Sequence, residues 1–404
     1  MKRKICFPIT SRAYYGRQRL LIEKLHAHPG IELHLVLGGS ILLDKYGKDL
    51  PAEIRASGFN IAASLFNVID GGNHVAMAKT SCLTALEFVN QFHSLDPDIV
   101  LISGDRFEQL PIAMAAAYLN KPVAHLEGGD VTGNIDESVR HAITKLAHIH
   151  FVTNDDAYRR VITMGEDPAY VFNTGSLDVE YAASIKTTID NDLINSYGVG
   201  SPIDIAQPFL VVLQHPVTSD LRNREHINVI VKAITGVGLP TVWFWPNSDA
   251  GTNEIAEALR HFREYDGAAA QFRFVTNLPA DEFVALMRLT ACLVGNSSAG
   301  MKESSYLGTP VVNIGARQHG RLRGPNVIDV DYDIDEIRAA VEMQIEHGRY
   351  PSSSAYYRSG TSDRIVALLS SLPLYTQKFF HERSDFTARR SVGKSVEHGV
   401  PVPR

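Results

Sequence analysis

Residues 125–148, HLEGGDVTGNIDESVRHAITKLAH, begin like the end of a buried strand and then turn acidic. Glu127, Asp130, Asp136 and Glu137 come in quick succession, with Arg140 and His141 behind them. Upstream, Asp105 of SGDRFE closes another apolar run, LIS. A carboxylate at the end of an apolar strand is costly unless it is paired or used. Carboxylates on neighbouring strand ends also raise one another's proton affinity, which makes a mixed set of acids and bases. Asp105, Glu127 and Asp136 are therefore candidate catalytic groups of one site, provided their strands are adjacent. A plainer reading competes for part of the stretch. Asp136 would cap its helix, Glu137 would sit in the first turn, and Arg140 would pair with Asp136 four residues on. That reading leaves Asp105 and Glu127 unexplained.

A second group of residues suits phosphate. In ACLVGNSSAGMKES an apolar strand runs into Ser297 and Ser298, where a helix is expected to begin. Free N–H groups at a helix start favour an anion, although Ser and Asn are also the usual caps. Glu303, a turn later, is placed to accept hydrogen bonds from a ribose diol or, more plainly, is a solvated helix charge. The loop IGARQHGRLRG carries Arg317, Arg321 and Arg323, whose forks match diphosphate oxygens. Arg12 of SRAYYGR and His215 of QHPVTSD occupy similar positions after strands. The chain has neither GxGxxG nor GxxxxGK[ST], so no dinucleotide cofactor or P-loop is expected. His125, His141, His148, His150 and His215 follow no zinc spacing, so no metal is expected and His215 is assigned to phosphate.

The elements that must position these groups read as alternating strands and helices. Continuous apolar runs such as KICFPI, DIVLIS and PVAHL alternate with helix-period segments, which implies a parallel sheet covered on both faces. The pattern loosens over the polar residues 187–207 and restarts at PFLVVLQH. The expectation is two doubly wound α/β domains, residues 1–190 and 205–360, then a helix from 361 and a charged tail from 383. Ligands of such sheets bind beyond the C-terminal strand ends, where all the polar motifs above fall. A cleft between the two sheets is the expected site.

Composition narrows the class. The 404 residues carry a formal net charge of −6 and no basic run, so nucleic acid is not an expected partner. Cys6, Cys82 and Cys292 are far apart in apolar runs, which predicts buried, reduced thiols in a cytoplasmic protein. No apolar run reaches membrane-spanning length.

Taken in order, SGDRFEQLPIA, HLEGGDVTGNIDESVRH, QHPVTSD, PNSDAG, VGNSSAGMKES and NIGARQHGR resemble the hydrolysing UDP-N-acetylglucosamine 2-epimerases over residues 4–370. The resemblance implies a GT-B fold of two Rossmann-like domains, with nucleotide held mainly by the second. It implies that residues 361–382 return to the first domain, and that the chain forms a homo-oligomer, dimer or tetramer. Carried over by motif, the catalytic residues would be Asp105, Glu127 and Asp136. Nucleotide-sugar contacts would come from Arg12, Arg106, His215, Asn247, Ser297, Ser298, Glu303 and Arg317. The family's reaction turns UDP-N-acetylglucosamine into N-acetylmannosamine and UDP, in sialic acid biosynthesis. Related enzymes act on a UDP- or GDP-linked 2,4-diacetamido-2,4,6-trideoxyhexose. The rivals are a GT-B glycosyltransferase, a non-catalytic nucleotide-sugar sensor and a non-hydrolysing epimerase. One departure stands out: the family usually has an acid after SRA, where this chain has Tyr14. A second concerns regulation. Inhibition of animal members by CMP-sialic acid involves two arginines, matched here by Glu257 and Arg260. A carboxylate at one of them implies that this inhibition is lost.

Overall fold

A computed structural model describes residues 2–44, 50–247 and 249–382, so the tail expected from residue 383 lies outside the described residues. The first sheet holds β1 (Arg3–Ile9), β2 (Ile31–Leu37), β3 (Ile61–Ser64), β4 (Ile99–Ser103), β5 (Val123–Leu126), β6 (Ile149–Val152) and β7 (Val171–Asn173). All its pairings are parallel, in the order β3-β2-β1-β4-β5-β6-β7. The second holds β8 (Val199–Gly200), β9 (Leu210–Leu213), β10 (Thr241–Phe244), β11 (Phe272–Val275), β12 (Cys292–Gly295), β13 (Val311–Ile314) and β14 (Val327–Val330). Its order is β14-β13-β12-β9-β10-β11-β8, parallel except for β8 at the edge. Central strands such as IVLIS and CLVG are buried along their whole length because helices cover both faces, so no polar residue alternates into them.

In each sheet the winding reverses once, between β1 and β4 in the first and between β9 and β12 in the second. Strand ends splay apart at such a reversal and leave a crevice. Arg12 and Asp105 follow β1 and β4, while His215 and Ser297 follow β9 and β12. The two crevices face each other across the cleft.

The helix Thr361–Ser371 belongs to the first core, where Ile365, Val366 and Leu369 pack among Ile5, Leu21 and Leu25. Thr361 Oγ1 donates to the Thr174 carbonyl at 2.8 Å, and Arg3 donates to the Leu369 carbonyl at 2.6 Å. The chain beyond it crosses the first domain's outer edge. Lys378 Nζ reaches Glu166 at 2.6 Å, and Tyr375 donates to the His148 carbonyl at 3.0 Å.

Two expectations need correction. Residues 187–207 are not a bare junction: they contain a helix, Asn191–Ser196, and β8, which pairs with β11. A two-residue strand joined through its backbone has no side-chain period to read. Cys82 is exposed, unlike Cys6 and Cys292. Its helix, His74–Leu95, turns Ala76, Thr80, Thr84, Phe88 and Phe92 inward at a spacing of four, which leaves Cys82 on the outer side. No helix among the described residues is long and apolar enough to cross a membrane.

Candidate active site

A cavity of about 740 Å³ fills the cleft. Arg12, Asp105, Arg106, Glu127 and Asp136 line it from the first domain. His215, Asn247, Ser297, Ser298, Glu303 and Arg317 line it from the second. The structure therefore brings the residues carried over by motif to one cavity.

The three carboxylates have different surroundings. Asp105 follows β4 and receives a hydrogen bond from the buried guanidinium of Arg140, while its other oxygen lies 3.5 Å from the Tyr14 hydroxyl. Glu127 follows β5, the neighbour of β4, with φ at +68°, a conformation rare for a residue with a Cβ. Its Oε2 sits 2.8 Å from Lys302 Nζ, and its Oε1 has no partner. Burial raises its proton affinity, the Asp178 charge raises it further, and Lys302 opposes both. Asp136 lies in the first turn of the helix Ile135–Leu146, 2.8 Å from Asn134 Nδ2 and 3.6 Å from Arg317. Burial raises its proton affinity too, and Arg317 opposes. The charges that act most strongly on Glu127 and Asp136 are thus Asp178, Asp249 and the nearby cations, not the other two members of the set.

The plain capping account of this helix fails. Asn134 occupies the cap position, and Glu137 folds back to accept from Thr132 N at 2.6 Å. Arg140 does not pair along the helix: it is 1% exposed, bonds Asp105, and donates to the Asp130 carbonyl at 2.9 Å. Three of the singled-out histidines are core groups. His125 contacts the Gly104 carbonyl at 2.9 Å, His148 the Thr376 carbonyl at 3.0 Å, and His150 the Glu166 carboxylate at 3.1 Å.

On the other wall, Gly295 ends β12. At φ +128° an added Cβ would meet the Leu213 carbonyl oxygen at 2.2 Å. The expected helix at Ser297 is a single 3-10 turn, Ser298–Gly300, with the next helix, Glu303–Leu307, beginning only afterwards. Asn296 ties the site together. Its side chain accepts from His215 N at 2.8 Å, and its carbonyl accepts from Arg317 Nη1 at 3.1 Å. Burial pushes His215 down to about 3, with Arg317 adding to the effect, so the ring is neutral at pH 7. Its Nδ1 accepts from Asn247 N at 3.4 Å, which assigns the proton to Nε2 as a donor. Glu303 is 3.4 Å from Arg17, and its buried Oε2 has no partner among the described residues. Of the three loop arginines, Arg323 is turned away into a pair with Asp329.

Four residues that the sequence left unremarked belong to the site. Lys302 contacts Glu127 and lies 3.6 Å from Asp178, Arg17 faces both Asp178 and Glu303, and Asp249 pairs with Arg106 at 3.2 Å. Asp178 and Asp249 both sit just beyond a strand, β7 and β10, so the strand-end rule would have reached them. Arg17 lies within a helix and Lys302 just before one, where a cation gives no sign that it is buried. Ion pairs cross the cleft at Arg17–Glu303, Lys302–Glu127, Arg317–Asp136, Arg106–Asp249 and Arg321–Asp130. Gly133 N also bonds the Arg317 carbonyl at 3.0 Å. Among the described residues no group of three or more His, Cys, Asp or Glu is placed to hold a metal.

Comparison with known proteins agrees with this layout. The profile of the family described as UDP-N-acetylglucosamine 2-epimerase matches residues 23–370. The chain is 33% identical over 378 residues to a Legionella pneumophila UDP-N,N'-diacetylbacillosamine 2-epimerase (hydrolyzing), covering 93% of this chain and 98% of that one. It is 29% identical to the UDP-N-acetylglucosamine 2-epimerase of Neisseria meningitidis serogroup B, covering 88% and 91%. In fold it matches the Methanocaldococcus jannaschii UDP-GlcNAc 2-epimerase in complex with UDP-GlcNAc and UDP, with a TM-score of 0.74 at 18% identity over 92% and 99% of the two chains. Two doubly wound domains in the GT-B arrangement, carboxylates on one wall and the family profile over most of the length lead to one conclusion: the chain belongs to the hydrolysing UDP-N-acetylglucosamine 2-epimerase family.

Proposed function

We propose that the protein converts UDP-N-acetylglucosamine and water into N-acetylmannosamine and UDP. The observation that carries this reading is the position of Asp105, Glu127 and Asp136 across one cavity from Ser297, Ser298 and Arg317. The C2 proton of an N-acetylhexosamine is not next to a carbonyl, so enolisation cannot invert that centre. When the C1–O bond to UDP breaks, C1 becomes cationic and C2 acidic, and loss of the C2 proton leaves a glycal. Water then adds its oxygen at C1 while a proton returns to C2 on the opposite face. The first domain supplies carboxylates to take and return the C2 proton and to stand beside the cationic carbon. The second supplies Arg317 and the neutral His215 Nε2–H to the departing diphosphate.

A second reading of the sugar is favoured by the Legionella relative: the same reaction on a UDP-linked 2,4-diacetamido-2,4,6-trideoxyhexose. One assay tests both. The protein is incubated in D₂O with each UDP-sugar and with the GDP-linked diacetamido sugar. Nucleotide release is followed by a coupled assay and the sugar by NMR. The expected outcome is UDP release with a free, inverted sugar carrying deuterium at C2. Return of an inverted UDP-sugar would make it a non-hydrolysing epimerase, and binding without turnover would make it a sensor.

A further inference from the structure

Lys302 belongs to the second domain, between the Ser298–Gly300 turn and the helix Glu303–Leu307. Its ammonium group is nevertheless buried among carboxylates of the first domain, 2.8 Å from Glu127 Oε2 and 3.6 Å from Asp178 Oδ2, and the side chain is 2% exposed. One oxygen of Glu127 is therefore held, while the other has no partner in a residue that lines the cavity. The left-handed backbone at Glu127 is strained for a residue with a Cβ and persists only where its surroundings impose it. That backbone fixes where the carboxylate is; its charge state needs a second control.

The groups that act on Glu127 come from several elements. Within the first domain these are Asp130 in its own loop, Asp178 on the helix Leu177–Ser184, and Tyr14 and Arg17 on the helix Arg12–Ala27. From beyond residue 300 come Lys302, Arg321 and the Tyr356 phenol. Arg17 is turned to Glu303 and Asp178, and Arg321 to Asp130. Lys302 is thus the cation in direct contact with Glu127 among the described residues. Without Lys302, Glu127 would be a buried carboxylate beside Asp178, and both features favour the protonated form.

We propose that Lys302 is a positioning residue that holds Glu127 as a carboxylate in the closed cleft. The proposal rests on the function given above. Lys302 N donates to the Ser298 carbonyl at 3.0 Å, so the turn offered to the diphosphate and the ammonium group offered to Glu127 move as one piece. Nucleotide that draws the second domain onto the first also delivers Lys302. The ammonium group then offsets the desolvation that closure imposes on Glu127, which stays charged with substrate in place.

The test is a carboxyl ¹³C titration of Glu127, assigned by its loss in Glu127→Gln, with the pH profile of the single-turnover rate of the bound enzyme alongside. In the UDP-bound protein Lys302→Met is expected to raise the Glu127 midpoint by about one pH unit or more, and to move the same limb of the rate profile upward. Lys302→Arg should restore most of the shift, and Asp178→Asn should move midpoint and limb the other way. UDP should raise the midpoint more in Lys302→Met than in the wild type. Equal midpoints in the wild type and Lys302→Met, with and without UDP, would overturn the proposal. If Lys302→Met does not fold, Lys302→Gln takes its place, and a Glu127 midpoint unchanged in Lys302→Gln contradicts the assignment. If no sugar is hydrolysed by the wild type, the proposed function falls, while the titration still decides what Lys302 does.

Discussion

Asp105, Glu127 and Asp136 differ in what holds them: a buried arginine, a lysine from the opposite domain, and an asparagine with a more distant arginine. Replacing each by its amide keeps the volume and removes the proton chemistry. Asp105→Asn, Glu127→Gln and Asp136→Asn are each expected to lower kcat by about a hundredfold or more. Calorimetry should still show UDP binding in all three. Ser298→Ala and Arg317→Ala should do the reverse, weakening UDP measured in the same way. Near-normal turnover in any two of the amide variants would sink the carboxylate-set mechanism. At this scale the sequence was informative wherever a charged residue ended an apolar run, as with Asp105 and Glu127. It was silent about Lys302, because a lysine near a helix start looks the same whether water or a carboxylate surrounds it. The identity of its partner is set by the packing of two domains, not by neighbours in the chain.

Among the elements, strands were legible because a strand covered on both faces is apolar throughout, and helices because of their period. What escaped was structure made by backbone pairing alone, such as β8, or a segment whose packing depends on remote partners. The stretch after Ser371 is of this second kind. Glu166 is 2% exposed and meets His150, Lys145 and Lys378, the last from that stretch. Burial alone would raise its proton affinity, but these partners draw it down to about 2 from an ordinary 4.5. His150 is itself pushed down by burial, so near neutral pH it serves as a hydrogen-bonding ring and the two lysines carry the charge. A depressed folded value means that the stabilisation is complete above the unfolded value and is lost as pH falls through the folded one. Thermal melts from about pH 6 downward should therefore show steeper acid destabilisation in the wild type than in Glu166→Gln; parallel curves would contradict the reading. The helix Thr252–Tyr265 carries a different consequence. Glu257 is exposed and only 3.8 Å from Arg224, while Arg260 lines the cavity. A carboxylate there repels an anionic ligand, so micromolar CMP-sialic acid is expected to leave steady-state turnover unchanged. Inhibition that disappears in Arg260→Ala would show otherwise.

At the scale of the whole molecule, the two domains are locked by ion pairs and by backbone contact at Gly133, where an added Cβ would lie 1.9 Å from the Ala316 carbonyl oxygen. Each contact that shuts the cleft over substrate must be undone before UDP can leave. Opening is then a diffusive motion of two large bodies against solvent, and lid or domain opening limits turnover in many enzymes. The expected signature is a kcat that falls as sucrose thickens the medium. In Gly133→Ala, whose methyl props the domains apart, kcat should be lower and indifferent to sucrose. A wild-type kcat that ignores viscosity would mean that bond breaking, not the parting of the domains, sets the pace. With opening as the slow step, the closed cleft is a clock as well as a container, timing each turnover by how long its two halves stay together.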